Sequence, residues 1–320
     1  MVSPAEIPVE QFDELFHGDP AVIEQRFLAL RPRALDHLDA SLVPQIDSLI
    51  ALTQAMQGRT DEAFATLDRA EQLPGAQLPM ARARLLPERG RVYHQARRMS
   101  EALPWMIAAY RLSHASGLDF HAINAAHMAA IVADNVAEKI FWNQRALELA
   151  ESTGDEKARA WRCVLRNNIG QAFVAAGQFH DALAAFEMCH QQAAERGDAL
   201  IGRGARWGIA RAFRSLGRVG EALSIQQLLL REYNAIERDG SLPAELLGMA
   251  RGLVFEELAE LVPSDSADFA ANALRDLSVN DWFRDLEPVR WARIQQRATG
   301  PVGDGLSGGA RPPCADRLRD

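Results

Sequence analysis

The chain contains very little lysine and cysteine for its length. Among 320 residues, lysine occurs only as Lys139 and Lys157, and every other basic residue is arginine. The three cysteines, Cys163, Cys189 and Cys314, form no CxxC pair and are odd in number. The sequence therefore indicates neither a disulfide framework nor a cysteine-based zinc site, and a reducing compartment is predicted.

Long apolar runs and an excess of positive charge are also missing. No unbroken apolar stretch approaches the ~18 residues that a membrane-spanning helix needs, and residues 1–6 lack the basic and apolar regions of a secretory leader. The net charge is −8, from 35 basic and 43 acidic residues, which argues against a nucleic-acid partner. We therefore expect a cytoplasmic protein that binds neither a membrane nor nucleic acid.

A small residue recurs at regular intervals along the chain. The recurring positions are separated by 39, 80 and 40 residues, and they are Ala63, Ala102, Ala182 and Ala222. The interval of 80 residues has room for one further unit, for which two helices are predicted over 122–133 and 136–151. The sequence is therefore built from repeats.

Each repeat has the pattern of two amphipathic helices, with apolar residues at i, i+3 and i+4. Gly177 and Gly217 are predicted to end first helices through turns with positive φ. Small residues such as Gly170 and Ala182 are expected where the two helices of a unit approach most closely. Because a single helical hairpin cannot bury its apolar stripe, neighbouring units must stack into a solenoid.

These repeats resemble the tetratricopeptide repeat (TPR). The residues that stand at its small and aromatic positions are Gly90, Tyr93, Ala102, Gly170, Phe173, Ala182 and Phe186. Repeat spacings of 39 and 40 residues are longer than the usual ~34. The chain is similar to stand-alone bacterial TPR proteins of unassigned function. This resemblance implies an all-α, right-handed superhelical solenoid of about five to six helical hairpins with helical caps.

The chain is predicted to have four parts. A helical cap is expected over 1–41, with helices around 11–16 and 22–30 that Gly18, Asp19 and Pro20 interrupt. The other parts are five TPR-like repeats over 42–240, a degenerate repeat and cap over 241–297, and a disordered tail rich in glycine and proline over 298–320. The helices predicted near the C-terminus are 245–261, 267–277 and 289–296.

Catalytic and metal-binding motifs are weakly represented. Gly303, Gly305 and Gly308 match a dinucleotide fingerprint formally, but the strand and helix that this chemistry needs are missing around them. Two ExxH pairs, Glu14–His17 and Glu187–His190, have the spacing of di-iron bundles. A solenoid would hold the two pairs far apart. We therefore predict no enzymatic activity, no metal and no cofactor.

Two further groups of residues have both a functional and a structural interpretation. Glu256, Glu257 and Glu260 offer carboxylates for acid–base chemistry, but a solvated helix face is the simpler interpretation. The six tryptophans offer stacking platforms, yet aromatics at helical spacing usually pack in a core. Trp207 is the tryptophan that we single out for a binding role.

The resemblance implies that the first helix of each repeat lines a concave groove with its second, fifth, ninth and twelfth positions. Arginine forks bind carboxylates bidentately, and asparagine can pair with a peptide backbone. The same arginines could instead form structural ion pairs with neighbouring units, and the sequence leaves both interpretations open. The predicted inward residues are Arg84, Arg91, His94, His121, Asn124, Asn167, Gln171, Trp207, Arg211 and Arg214.

Two functions follow from this set. The first is a non-catalytic protein–protein interaction module that binds a peptide or protein segment, predicted to be acidic, in its concave groove. The second is a sensor of a small ligand or signalling peptide that regulates an effector protein. An enzyme is not predicted, because no nucleophile, base and orienting group can be identified together. The sequence leaves the oligomeric state open, homo-oligomers included.

Overall fold

The computed structural model describes residues 12–16, 18–279 and 282–299. In these ranges the chain is all-α and contains no strand. It divides into two compact units, and the division between Ala172 and Phe173 falls within one helix. The helices are α1 (Phe12–Leu15), α2 (Pro20–Leu35), α3 (Leu42–Met56), α4 (Thr60–Glu71), α5 (Pro79–Gln95), α6 (Met99–Ala115), α7 (Asp119–Val132), α8 (Val136–Ser152), α9 (Glu156–Arg159), α10 (Arg162–Ala175), α11 (Phe179–Glu195), α12 (Ala199–Ser215), α13 (Val219–Asp239), α14 (Ala244–Leu261), α15 (Ser266–Leu277), α16 (Trp282–Leu286) and α17 (Pro288–Thr299).

Unit 1, which ends at Ala172, is a stack of helical hairpins. Helix α3 packs on α4, α5 on α6, and α7 on α8, and the first helices α3, α5 and α7 also contact one another in sequence. Three residues connect the helices of each pair, so the paired helices must run antiparallel. Side chains of successive first helices are thereby brought side by side.

Unit 2, which begins at Phe173, follows the same rule. Helix α12 packs against α11 and α13, α14 packs against α13 and α15, and the first helices α12 and α14 touch directly. Helix α17 packs on α15 and contributes the buried side chain of Ile294 to the core. The unit 2 core also contains Leu230, Tyr233, Leu258 and Phe269.

Positive-φ turns end several first helices, as the repeats predict. Gly177 and Gly217 have φ values of 73° and 78°, and Gly58 has the same conformation at 78°. The equivalent residue after α5 is Arg97, with φ of 60°. Because a side chain disfavours this region of backbone space, Arg97 holds a conformation better suited to glycine.

Close packing of helices in two repeats depends on glycine. A Cβ atom at Gly208 of α12 would lie 2.5 Å from the ring of Phe186 on α11. A Cβ atom at Gly90 of α5 would lie 2.7 Å from Cε of Met106 on α6. Phe186 and Met106 are both fully buried, so these glycines determine how closely the helices approach.

The N-terminal region differs from its prediction. Gly18 and Asp19 interrupt the helices as predicted, but α2 begins at Pro20, two residues before its predicted start, because Asp19 caps it and accepts hydrogen bonds from the backbone N–H of Ala21 (2.9 Å) and of Val22 (3.4 Å). A proline in the first turn removes no hydrogen bond that the helix needs. The helix also continues through Pro32 and ends at Leu35, five residues beyond its predicted end at residue 30.

Near the C-terminus, helices α14, α15 and α17 lie close to the three predicted segments. Helix α17 ends at Thr299, two residues into the segment predicted to be disordered. The rest of that predicted tail, 300–320, lies outside the described residues, as do the Gly303–Gly308 motif and His17 of the first ExxH pair. Among the described helices, none combines the length and apolarity that crossing a membrane requires.

Candidate functional site

A cavity of about 240 Å³ opens in unit 1 between the first helices of successive repeats. Four predicted inward residues line it, Arg84 and Arg91 on α5 and His121 and Asn124 on α7. They meet there because side chains three, four and seven residues apart lie on one face of a helix. The other lining residues are Phe16, Leu49, Leu52, Ala83, Pro87, Glu88, Phe120 and Trp161.

Arg91 is the centre of the polar wall of this cavity. Its Nη1 donates to Oε1 of Glu88 at 2.6 Å, and its Nη2 donates to Oδ1 of Asn124 at 2.8 Å. The Glu88 side chain is 3% exposed, and its Oε2 has no hydrogen-bond partner among the described residues. Two arginines and one glutamate leave the lining with one formal positive charge, before His121 is counted.

Part of the cavity lining is aromatic. The rings of Phe120 and Trp161 meet edge to face, with centroids 6.3 Å apart. The ammonium of Lys157 lies 4.5 Å from the Phe120 centroid, and the ring of His127 lies 5.2 Å from that of Trp161. A group entering the cavity would therefore meet both arginine side chains and a large apolar surface.

Two partly buried histidines lie within the electrostatic influence of Arg91. Burial lowers the pKa of His127 to about 4, a hydrogen bond with Asn143 opposes this shift, and the charge of Arg91 adds to it. Burial also lowers the pKa of His94, with smaller contributions from Arg97 and Arg91. His127 is therefore neutral at pH 7 and can donate or accept a hydrogen bond, and its Nδ1 lies 3.3 Å from Nδ2 of Asn168.

The structure does not bring every predicted inward residue of unit 1 into the cavity. His94, Asn167 and Gln171 are absent from its described lining. Glu88, Phe120 and Trp161, in contrast, line the cavity and were not predicted. Glu88 could have been found from the sequence, because it precedes Arg91 by three residues on a predicted helix, a spacing that favours an ion pair.

In unit 2, the predicted inward residues hold two helices together. Arg214 on α12 donates from Nε to Oε2 of Glu257 on α14 at 2.8 Å, and Nε of Arg211 lies 3.1 Å from Oε1 of the same carboxylate. Trp207 donates from Nε1 to the carbonyl oxygen of Leu253 at 3.0 Å, and the Arg211 guanidinium lies 4.8 Å from the Trp207 ring centroid. These contacts match the structural ion-pair interpretation.

The interpretation of Glu256, Glu257 and Glu260 as a solvated helix face was wrong. Glu256 and Glu257 are each 2% exposed. Glu256 pairs with Arg290 and Arg293 of α17, while Glu260 pairs with Arg297 of α17 at 2.6 Å. These α17 partners lie 34 to 37 residues away in sequence, so local spacing could not reveal them. The arginines that pair with these three glutamates are Arg211, Arg214, Arg290, Arg293 and Arg297.

A second cavity, of about 360 Å³, lies in unit 2 among α11, α12 and α13. Its charged and polar lining comes from His190, Asp198, Arg203, Arg206 and Glu232. Sequence reasoning missed this cavity because Arg203 and Arg206 occupy helix positions other than the predicted inward ones. In the described part of the chain, no cluster of three or more His, Cys, Asp or Glu side chains is arranged to hold a metal ion.

Comparison with known proteins identifies the fold. No protein-family model matches the chain, and no curated protein matches its sequence. Among solved structures, the chain is similar to a STAND signal-transduction ATPase with a TPR sensor from Pyrococcus horikoshii, with a TM-score of 0.60 at 11% identity. The alignment covers 91% of this chain and 45% of that protein. The TPR-like repeats of a putative kinesin light chain from Podosopora anserina have a TM-score of 0.51 at 16% identity, covering 65% of this chain and 100% of that one, and a variant of the same repeats has 0.53. The chain has a TPR fold.

The TPR fold explains why the residues that line the unit 1 cavity come from several repeats. In each TPR hairpin the first helix contacts the first helix of the next hairpin, as α3, α5 and α7 do. Their facing side chains therefore form a continuous surface whose residues come from three separate repeats. The resemblance predicted from sequence is confirmed, and this chain spans less than half the length of the P. horikoshii protein.

Proposed function

We propose that this TPR protein is a non-catalytic interaction protein that holds an acidic group of a peptide or protein segment in the unit 1 cavity. The observation that carries the proposal is the convergence of Arg84, Arg91, His121 and Asn124 on one cavity. These residues come from two repeats, so a ligand between them would contact both at once.

The polar wall is prepared for an anionic or amide group. Glu88 and Asn124 fix the Arg91 guanidinium in one orientation, so little side-chain entropy remains to be lost on binding. Asn124 accepts from Arg91 through Oδ1, which leaves its two Nδ2 donors available for a ligand oxygen. Phe120 and Trp161 supply the apolar contact that interaction sites concentrate in their centres.

The size of the cavity limits what enters it. Its volume of about 240 Å³ is below the ~300–1,000 Å³ of ordinary small-molecule pockets. A single acidic side chain or a chain end fits this space better than a folded segment. The rest of a bound peptide would then lie over the neighbouring surface of the first helices.

The same cavity supports the second candidate function, a small-ligand sensor. The supporting observation is that Arg91 and Glu88 form an ion pair in its lining, and that the neutral imidazole of His127 lies behind the lining residue Trp161. A ligand that binds only the folded state raises the melting temperature by mass action. A thermal-shift screen with small anions and with acidic peptides therefore separates the two candidates.

The direct test compares two double variants of one helical hairpin. Arg91→Met/Glu88→Met replaces both members of the cavity ion pair, so neither charge is left buried without a partner. Replacing a buried ion pair by apolar side chains of similar volume is often neutral for stability. Arg98→Met/Glu101→Met removes a pair whose side chains are 47% and 48% exposed, and serves as the control. We expect peptides selected from a displayed random library to be acidic, and to bind the cavity variant at least ~10-fold more weakly, a loss of about 1.4 kcal/mol.

Binding should also weaken as salt rises, because charge contributes to association. Fluorescence anisotropy of the labelled peptides measures both effects, and circular dichroism verifies that each variant is folded. Equal affinity of the two double variants, or selection of peptides without acidic residues, would contradict the proposal.

A further inference from the structure

We infer that the second cavity, in unit 2, binds the carboxylate group of a small molecule. This site is separate from the proposed peptide site, since all of its lining residues belong to unit 2. Its volume of about 360 Å³ falls within the range of ~300–1,000 Å³ typical of small-molecule pockets.

Small residues create the space. The end of α11, the turn after it and the start of α12 present Ala193, Ala194, Gly197 and Ala199 to the cavity. Gly202 completes this surface, and a Cβ atom there would lie 3.8 Å from both Cβ of Ala193 and Nδ1 of His190. A larger side chain at residue 202 would therefore enter the cavity without straining the helix backbone.

One arginine in the cavity keeps part of its hydrogen-bonding capacity. Arg206 donates from Nη1 and Nη2 to the two oxygens of Glu232, at 2.7 Å and 2.6 Å. Arg203 donates to the same carboxylate only through Nε, at 3.1 Å. Within the described ranges its two terminal nitrogens have no hydrogen-bond partner, although its side chain is only 20% exposed. This terminal edge has the planar geometry that carboxylates bind.

The charges of the other polar residues that line the cavity indicate which net charge a ligand should carry. Asp198 is already engaged, because its Oδ1 accepts from the backbone N–H of Ile201 at 3.0 Å. Nδ1 of His190 is buried without a hydrogen-bond partner in the described chain. The two arginines, Glu232 and Asp198 sum to zero formal charge. A singly charged carboxylate disturbs this balance less than a phosphate dianion does.

The test titrates the protein with acetate, succinate, L-glutamate and inorganic phosphate at constant ionic strength. Amide NMR shifts of Gly197 and Gly202 report on the cavity. We expect saturable shifts with at least one carboxylate, and weaker binding of phosphate. Gly202→Leu, which fills the cavity, and Arg203→Gln, which removes the fork, should each weaken carboxylate binding at least tenfold.

Gly204→Leu is the matched control, because it lies on the same helix and its Cβ position meets open space. This variant should bind as the wild type does. Should Gly202→Leu prove unfolded by circular dichroism, Arg203→Gln decides the question, since Arg206 still neutralises Glu232 in that variant. The inference is overturned if no carboxylate saturates, if both variants bind like the control, or if phosphate binds more tightly than every carboxylate.

Discussion

Two glycines of helix α12 should respond in opposite ways to the same substitution. Both gain helix propensity on mutation to alanine, by about 1 kcal/mol. A Cβ at Gly204 meets open space, whereas a Cβ at Gly208 would lie 2.5, 2.5 and 2.7 Å from three atoms of the Phe186 ring. That ring is fully buried, so it cannot move without repacking the core. Overpacking of this kind costs up to about 3 kcal/mol.

The difference between the two variants isolates the cost of the clash, because the propensity gain is common to both. We expect Gly204→Ala to be about 1 kcal/mol more stable than wild type and Gly208→Ala about 2 kcal/mol less stable. For a unit of this size, a gap of about 3 kcal/mol corresponds to melting temperatures about 6 to 12 °C apart.

Thermal denaturation followed by circular dichroism measures this gap, and hydrogen exchange of the amides in α11 and α12 locates it. Gly90→Ala should fall between the two variants, because its new Cβ meets the flexible end of Met106. If Gly208→Ala matched Gly204→Ala in stability, the reasoning about helix approach would be refuted.

Two further predictions concern a buried histidine and a strained turn. The pKa of His127 is about 4 in the folded protein and ~6.5 in the unfolded chain. As the pH is lowered, the unfolded state therefore takes up the proton first. The free energy of unfolding should fall by about 3 kcal/mol in all between pH 6.5 and pH 4. Urea unfolding should show that His127→Gln loses this part of the pH dependence; an unchanged pH profile contradicts the assignment. Arg97→Gly should raise the free energy of unfolding by up to about 1 kcal/mol, because glycine tolerates the φ of 60° that Arg97 adopts. Thermal denaturation checks this, with Arg98→Gly, at the neighbouring negative-φ position, as the variant that should not be stabilised.

The repeat architecture could be predicted because its signals are local. Helices predicted over 122–133 and 136–151 correspond closely to α7 (Asp119–Val132) and α8 (Val136–Ser152), since apolar periodicity and a regularly spaced small residue define each hairpin. The start of α2 was missed because Pro20 was taken as an interruption, although a capped helix accepts proline in its first turn.

The sites could be predicted only in part. The inward positions led to four residues of the unit 1 cavity, because a repeat fixes which helix face meets its neighbour. The roles of Arg211 and Arg214 depend on Glu257, which is 43 residues away from Arg214 in sequence. No sequence spacing shows such a partner. The unit 2 cavity depends on Gly202 lying opposite His190, a juxtaposition that only the folded chain reveals.

The glutamates of α14 constrain the order in which unit 2 can be completed. Glu256 is buried against arginines of α17, Arg290 and Arg293, and an unpaired buried carboxylate is strongly destabilising. During synthesis, Glu256 is therefore made 34 residues before Arg290 and 37 residues before Arg293, so its carboxylate has no α17 partner until that helix has been made. A chain that stopped ahead of Arg290 would thus keep the Glu256 carboxylate without its α17 partners, and its second unit should be less stable for that reason.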